Sequence, residues 1–124
     1  MKIVVGTLQN GRGDFTKRMI RFSDVFRQAT GQDLFPGTLN VQVRERIDIR
    51  EHFRIRGSKI EEPDQDLLFE ICRINEVWAY RIRPYNLKDG SGGHGDHIIE
   101  IACDRELRKQ SNFNESAIQI AFFR

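Results

Sequence analysis

The eight residues Leu34-Phe35-Pro36-Gly37-Thr38-Leu39-Asn40-Val41 constrain the fold more tightly than any other part of the chain. Pro36 fixes its own φ near the value a turn needs and Gly37 takes positive φ at no steric cost, so the pair predicts a tight turn. A strand has to start directly after it. Leu39, Val41 and Val43 fall on one face of that strand, and Thr38, Asn40 and Gln42 on the other, because side chains alternate with period 2. The Thr38 and Asn40 oxygens therefore stand side by side, their Cα atoms roughly 6–7 Å apart, within reach of one cation. The wet face of a half-buried strand has the same appearance, and spacing alone leaves both readings open.

Other alternating runs predict a mainly β chain. Residues 3–8 read as a strand near the centre of a sheet, and 66–74 and 77–83 as a hairpin turning at Asn75-Glu76 and stopping at Pro84. Residues 97–103 and 117–123 read as two more strands, the last with Ile118, Ile120 and Phe122 inward. Trp78, Tyr80 and Ile82 share a face and read as core, with Val77, Ala79, Arg81 and Arg83 opposite. Residues 23–30 carry a helical spacing through Phe22, Val25, Phe26 and Ala29. Ser23 is placed to cap this helix and Gly31 to end it, although Met19 keeps the same spacing further back. Asp104 is placed to cap a short helix over 105–110.

Length and composition bound the class. A chain of 124 residues is read as one domain over 1–124, and 39% hydrophobic with 31% charged residues suits a water-soluble globular protein. No apolar run approaches the roughly 20 residues of a membrane helix, and the opening residues read as a strand, so the expected home is the cytoplasm. Cys72 and Cys103 read as buried free thiols. A net charge of +2 does not point to nucleic acid. The arginines of 44–56, set among carboxylates, would argue for it only if they gathered on one face.

Two glycine-bearing loops hold the remaining polar candidates. Gln9-Asn10-Gly11-Arg12-Gly13-Asp14 offers backbone N–H groups to a phosphate, although a plain surface turn has the same composition. Residues 86–96, with four glycines, read as a linker loop or a lid over a ligand. His94, Asp96 and His97 within and beside it suggest a zinc site, but no further partner has the right spacing. Glu100, a carboxylate among apolar neighbours, is a candidate for ligand contact or proton transfer, and an outward surface residue is the alternative.

Taken with Phe26 and Gly31 before it, and with Glu100-Ile101-Ala102 and Leu107-Arg108 after it, the motif Pro36-Gly37-Thr38-Leu39-Asn40-Val41 resembles the CTP-dependent riboflavin kinases known mainly from archaea. The resemblance implies a small closed barrel of the cradle-loop type, six-stranded, with one or two short helices. It implies a phosphotransferase that moves the terminal phosphoryl group of CTP to riboflavin, with Mg²⁺ held by Thr38 and Asn40. It also implies nucleotide contacts from Gly11, Arg12, Gly13 and Asp14 and from Arg105, Glu106, Leu107 and Arg108. Flavin contacts are implied at Asn86, His97 and Glu100, and Glu100 is the candidate for orienting or deprotonating the riboflavin 5′-hydroxyl. The chain departs from the family in two places: Asp14-Phe15 stand where another glycine is usual, and a glycine-rich insertion replaces a Thr and a His-Pro ahead of the Glu100 strand. A non-catalytic nucleotide- or flavin-binding module of the same fold is therefore the alternative, and a DNA-binding barrel the more distant one.

Overall fold

The computed structural model describes residues 1–11, 14–92 and 95–124, with the side chain of Asp14 outside that description. Along these residues run β1 (Lys2–Gln9), α1 (Asp14–Arg21), α2 (Ser23–Thr30), β2 (Leu39–Gln42), β3 (Phe53–Ile55), β4 (Gln65–Ile74), β5 (Val77–Asn86), β6 (Ile98–Cys103) and β7 (Ile118–Phe122). Short 3-10 turns lie at Gly57–Ile60 and Leu107–Lys109. Every pairing is antiparallel, and the order β4-β5-β6-β2-β1-β7 closes on itself because β7 also pairs with β4. The result is a closed six-stranded barrel with two short helices, mainly β as the alternating runs predict and closed as the family resemblance implies. β4 is long enough to serve two neighbours. Its first half pairs with β3 (Phe53↔Phe69, Ile55↔Leu67) and its second half with β7 (Cys72↔Phe122, Ile74↔Ile120).

Alternation along the strands makes two cores. Val4, Val41, Cys72, Ile74, Ala79, Ile99, Ile101, Ile118, Ile120 and Phe122 fill the barrel. Phe15, Met19 and Phe26 of the helices pack outside it on Ile55, Leu67, Phe69, Tyr80 and Ile82. β4 is thus covered on both faces over 66–70. Phe26 meets the Phe69 ring edge-on at 6.2 Å, and Phe53 stacks on Phe69 at 4.8 Å. Burying a side chain of that size contributes about 1.5–3 kcal/mol. Cys72 and Cys103 are buried and free, and burial pushes the Cys72 thiol up to about 12.

Several local expectations are corrected. Ser23 caps nothing. The helical stretch is broken at Phe22 (φ −110°, ψ 32°) into α1 and α2, and α2 ends at Gly31 in the left-handed region as expected. β5 does not stop at Pro84. β6 pairs with β5 only over 79–81, so beyond that point one edge of β5 is open and a residue without an N–H is accommodated. The hairpin at Asn75-Glu76 closes without glycine, both residues at positive φ (47° and 69°), with Asn75 bonded to Gln119 in both directions at 3.0 and 3.1 Å. Trp78 is half exposed. It lies on the same outer face as Tyr80 and Ile82 but past the shelter of the helices, where it stacks on Phe123 at 5.3 Å. Asp104 caps no helix and pairs instead with Arg105 at 2.8 Å, and only the turn Leu107–Lys109 forms.

The alternating-charge stretch hides β3 and two core residues, Ile47 and Ile55. Three of its five arginines are engaged in ion pairs. Arg46 pairs with Asp48 and Asp96, Arg54 with Glu51 and Asp66, and Arg56 with Asp66. The face of β5 bearing Arg81 turns inward, and Arg81 is only 2% exposed beside Glu70, its cross-strand partner. Glu70 accepts from Arg124 at 2.9 and 3.1 Å and from the Arg50 N–H at 2.9 Å. Asp96 meets Arg46, Arg83 and Arg81 at 3.0, 3.4 and 3.8 Å. These ion pairs close one pole of the barrel. The start of the glycine-rich stretch is a turn on the end of β5 at this pole, with Asn86 N–H on Ser91 O and Gly90 N–H on Asn86 O. No helix among the described residues is long and apolar enough to cross a membrane.

Candidate functional site

The other pole is open. β1 ends there at Gln9, β2 starts at Leu39 and β6 ends at Cys103, and the register Gln9↔Asn40↔Glu100 sets three outward polar side chains in a row. The segments that leave these strand ends wall a cleft of about 440 Å³, a size suited to a small molecule. Asn10 and Gly11 follow β1, Phe15 and Thr16 come from α1, Phe35 to Thr38 form the bend into β2, and Arg105, Glu106, Leu107 and Arg108 follow β6.

Short-range bonds hold the bend in place. Phe35 N–H donates to Cys103 O at 2.8 Å, tying it to the end of β6, and Gly37 N–H lies 3.2 Å from Met19 Sδ on α1. Gly37 has φ +117°, and a Cβ there would come within 3.3 Å of Thr16 Oγ1, so the Pro36-Gly37 pair does two jobs that another residue would strain. Burial pushes the Cys103 thiol up, and its S–H rests on Arg105 O at 3.2 Å, leaving an uncharged wall to the cleft. On the same segment the Arg105 guanidinium hydrogen-bonds Asp104, which raises its pKa further and holds the Asp104 carboxyl below its ordinary value.

Three oxygen-bearing side chains meet at the β2–β6 seam. Thr38 Oγ1 donates to Glu100 Oε2 at 3.2 Å. Asn40, although on the outward face, is only 3% exposed, and its Oδ1 is buried with no hydrogen-bond donor among the described residues. A buried acceptor left without a partner costs about 1–3 kcal/mol, and such a group calls for an explanation such as a missing ion. A hydroxyl, an amide carbonyl and a carboxylate form the all-oxygen set that a hard divalent cation such as Mg²⁺ takes. The residues present fit that ion.

The structure gathers Gly11, Thr38, Asn40, Arg105, Glu106, Leu107 and Arg108 around one cleft, with Glu100 bonded to Thr38 at its edge. Arg12, Gly13, the Asp14 side chain and His94 lie outside the described residues. Asn86 and His97 are at the ion-paired pole, away from this cleft, since Asn86 ends β5 opposite Gln65 and His97 O holds Val43 N–H beyond the end of β2. Asp96 is committed to three arginines there. Phe15, Thr16 and Phe35 are cleft residues that side-chain chemistry alone did not single out. The signal for Phe35 was its place inside the turn motif, whereas α1 left only Met19 of its helical spacing to read.

The family model CTP-dep_RFKase, described as Domain of unknown function DUF120, matches residues 8–121. A riboflavin kinase of Staphylothermus marinus is 27% identical over 113 residues, which cover 91% of this chain and 85% of that protein. Because the matched stretch runs from the end of β1 through β7 and takes in every described wall of the cleft, the chain belongs to the CTP-dependent riboflavin kinase family.

Proposed function

We propose that this protein transfers the terminal phosphoryl group of CTP to the 5′-hydroxyl of riboflavin, giving FMN and CDP. The observation that carries the reading is Asn40 Oδ1, without a partner among the described residues, beside the Thr38–Glu100 hydrogen bond in the cleft that also holds Gly11 and the 105–108 segment. Phosphoryl transfer asks little covalent chemistry of a protein. It asks for alignment of donor and acceptor and for positive charge over the transferring oxygens. In this reading Thr38 and Asn40 hold Mg²⁺, which when bound neutralises charge on the triphosphate. Gly11 brings backbone close to the phosphates, Arg108 adds charge, and Arg105 lines the nucleotide side. Glu100, positioned by Thr38, orients the acceptor hydroxyl and takes its proton as the oxygen–phosphorus bond forms. The Staphylothermus marinus relative is named a riboflavin kinase, which supports the acceptor. The choice of CTP rests on the family resemblance.

The test is incubation of the purified protein with riboflavin and Mg²⁺, with CTP and ATP in parallel, followed by chromatography for FMN. FMN formed with CTP and not with ATP is the expected result. FMN from ATP alone would overturn the donor. No FMN from either, with riboflavin or CTP still raising the melting temperature, would replace the kinase by a binding module.

A further inference from the structure

Among the described residues that line the cleft, one aromatic ring stands outside the core. Phe35 is 42% exposed, whereas Phe15, which lines the same cleft, is 5% exposed and packs into the helix-side core. Its neighbour Leu34 also packs on that core. Phe35 is not loose, however. Its N–H is bonded to Cys103 O, Pro36 restricts the next φ, and Gly37 N–H is held by Met19. A large apolar ring on a fixed backbone, left in a concave wall among hydrogen-bonding groups, is placed to receive a flat partner.

We propose that Phe35 is the stacking platform for a planar heteroaromatic ring of a substrate. This deepens the kinase reading and rests on it. Both substrates of that reading carry such a ring, the isoalloxazine of riboflavin and the base of the nucleotide, and stacking on a phenyl face serves either. Arg105, two residues beyond the Cys103 carbonyl that anchors Phe35, borders the same cleft with a second flat and cationic group. The role is one of positioning, because the ring offers no group to the phosphoryl transfer.

The experiment measures equilibrium binding of riboflavin by its fluorescence and of CTP with Mg²⁺ by calorimetry, on wild type, Phe35→Leu and Phe35→Trp. Phe35→Leu is expected to weaken one of the two ligands about tenfold, the usual scale of base–aromatic stacking, and to leave the other unchanged. Phe35→Trp is expected to restore the affected ligand. Loss confined to riboflavin assigns the platform to the flavin, and loss confined to CTP assigns it to the base. Wild-type affinity of Phe35→Leu for both ligands would overturn the proposal, as would equal loss of both without rescue by Trp, which marks a collapsed cleft. If wild type binds neither ligand, the kinase reading itself fails and the platform with it, an outcome distinct from a wild type that binds both and a Leu variant that binds as well.

Discussion

An amide oxygen buried without a donor among the described residues, as Asn40 Oδ1 is, weakens a fold compared with a satisfied group, and such a weakness persists where binding depends on it. Replacing Asn40 by Ala removes the unsatisfied acceptor and opens a small gap at the β2–β6 seam, two effects of opposite sign. The Asn40→Ala variant should therefore keep its stability within about 1 kcal/mol of wild type. Its Mg²⁺-dependent FMN formation should fall roughly a hundredfold or more, the scale seen when one electrostatic contact to a transition state is deleted. Thermal melting and turnover across a Mg²⁺ titration check the two halves. A variant with wild-type turnover would remove Asn40 from the metal site. Glu100 differs because its carboxylate already holds the Thr38 hydroxyl, so loss of Glu100 also frees Thr38 to rotate.

At the scale of elements, Asp66 joins three pieces of chain. Its carboxylate sits at the start of β4, accepts Gly57 N–H at 2.8 Å from the 3-10 turn, and meets Arg54 of β3 at 3.0 Å and Arg56 at 3.3 Å. Burial pushes this carboxyl up, but the Gly57 N–H and the two arginines outweigh it and hold the carboxyl below its ordinary value of 3.8. A depressed folded-state pKa means that the unfolded chain binds the proton more readily. The contribution is then fully present above the ordinary carboxylate range and is lost as pH falls through that range to the lower folded value. Urea unfolding of the wild type should weaken as pH drops below about 4. The Asp66→Asn variant should start less stable at neutral pH and show a flatter decline. Parallel curves for the two proteins would show that Asp66 is not a source of the acid sensitivity.

The whole molecule is a closed ring with one appended strand. Each barrel strand has partners on two sides, whereas β3 is three residues long and leans on β4 alone, with α2 against it. Opening β3 leaves the barrel ladder intact, while opening β5 breaks pairings with both β4 and β6. In native-state hydrogen exchange the amides of 53–55 should therefore exchange at least about tenfold faster than those of 79–82, because local opening costs less than global unfolding. Equal protection would mean that β3 and the barrel open as one unit. The two poles also divide the labour. Ion pairs among Glu70, Arg124, Asp96, Arg46 and Arg83 close one, and the other is left to the cleft. Removing a single partner from a buried pair is costly, which makes the closed pole a poor place for a movable lid.

The sequence by itself determined the strand alternation, the bend at Pro36-Gly37, the end of α2 at Gly31 and the placing of Asn40 opposite Leu39 and Val41 in β2, although β2 starts one residue later than Thr38, because each is set by residues within a few positions of one another. It also carried the family, through a motif that is local in the same way. Only the tertiary structure decided that the face bearing Arg81 turns inward, that Trp78 falls beyond the cover of the helices, and that 44–57 contributes β3 to the barrel's flank. Period-2 alternation distinguishes two faces without saying which one the barrel encloses. It also cannot say which strand ends share a pole. The Gln9↔Asn40↔Glu100 register, formed between residues far apart in the chain, brings the 105–108 segment to Thr38 and Asn40 and leaves Asn86 and His97 at the opposite end.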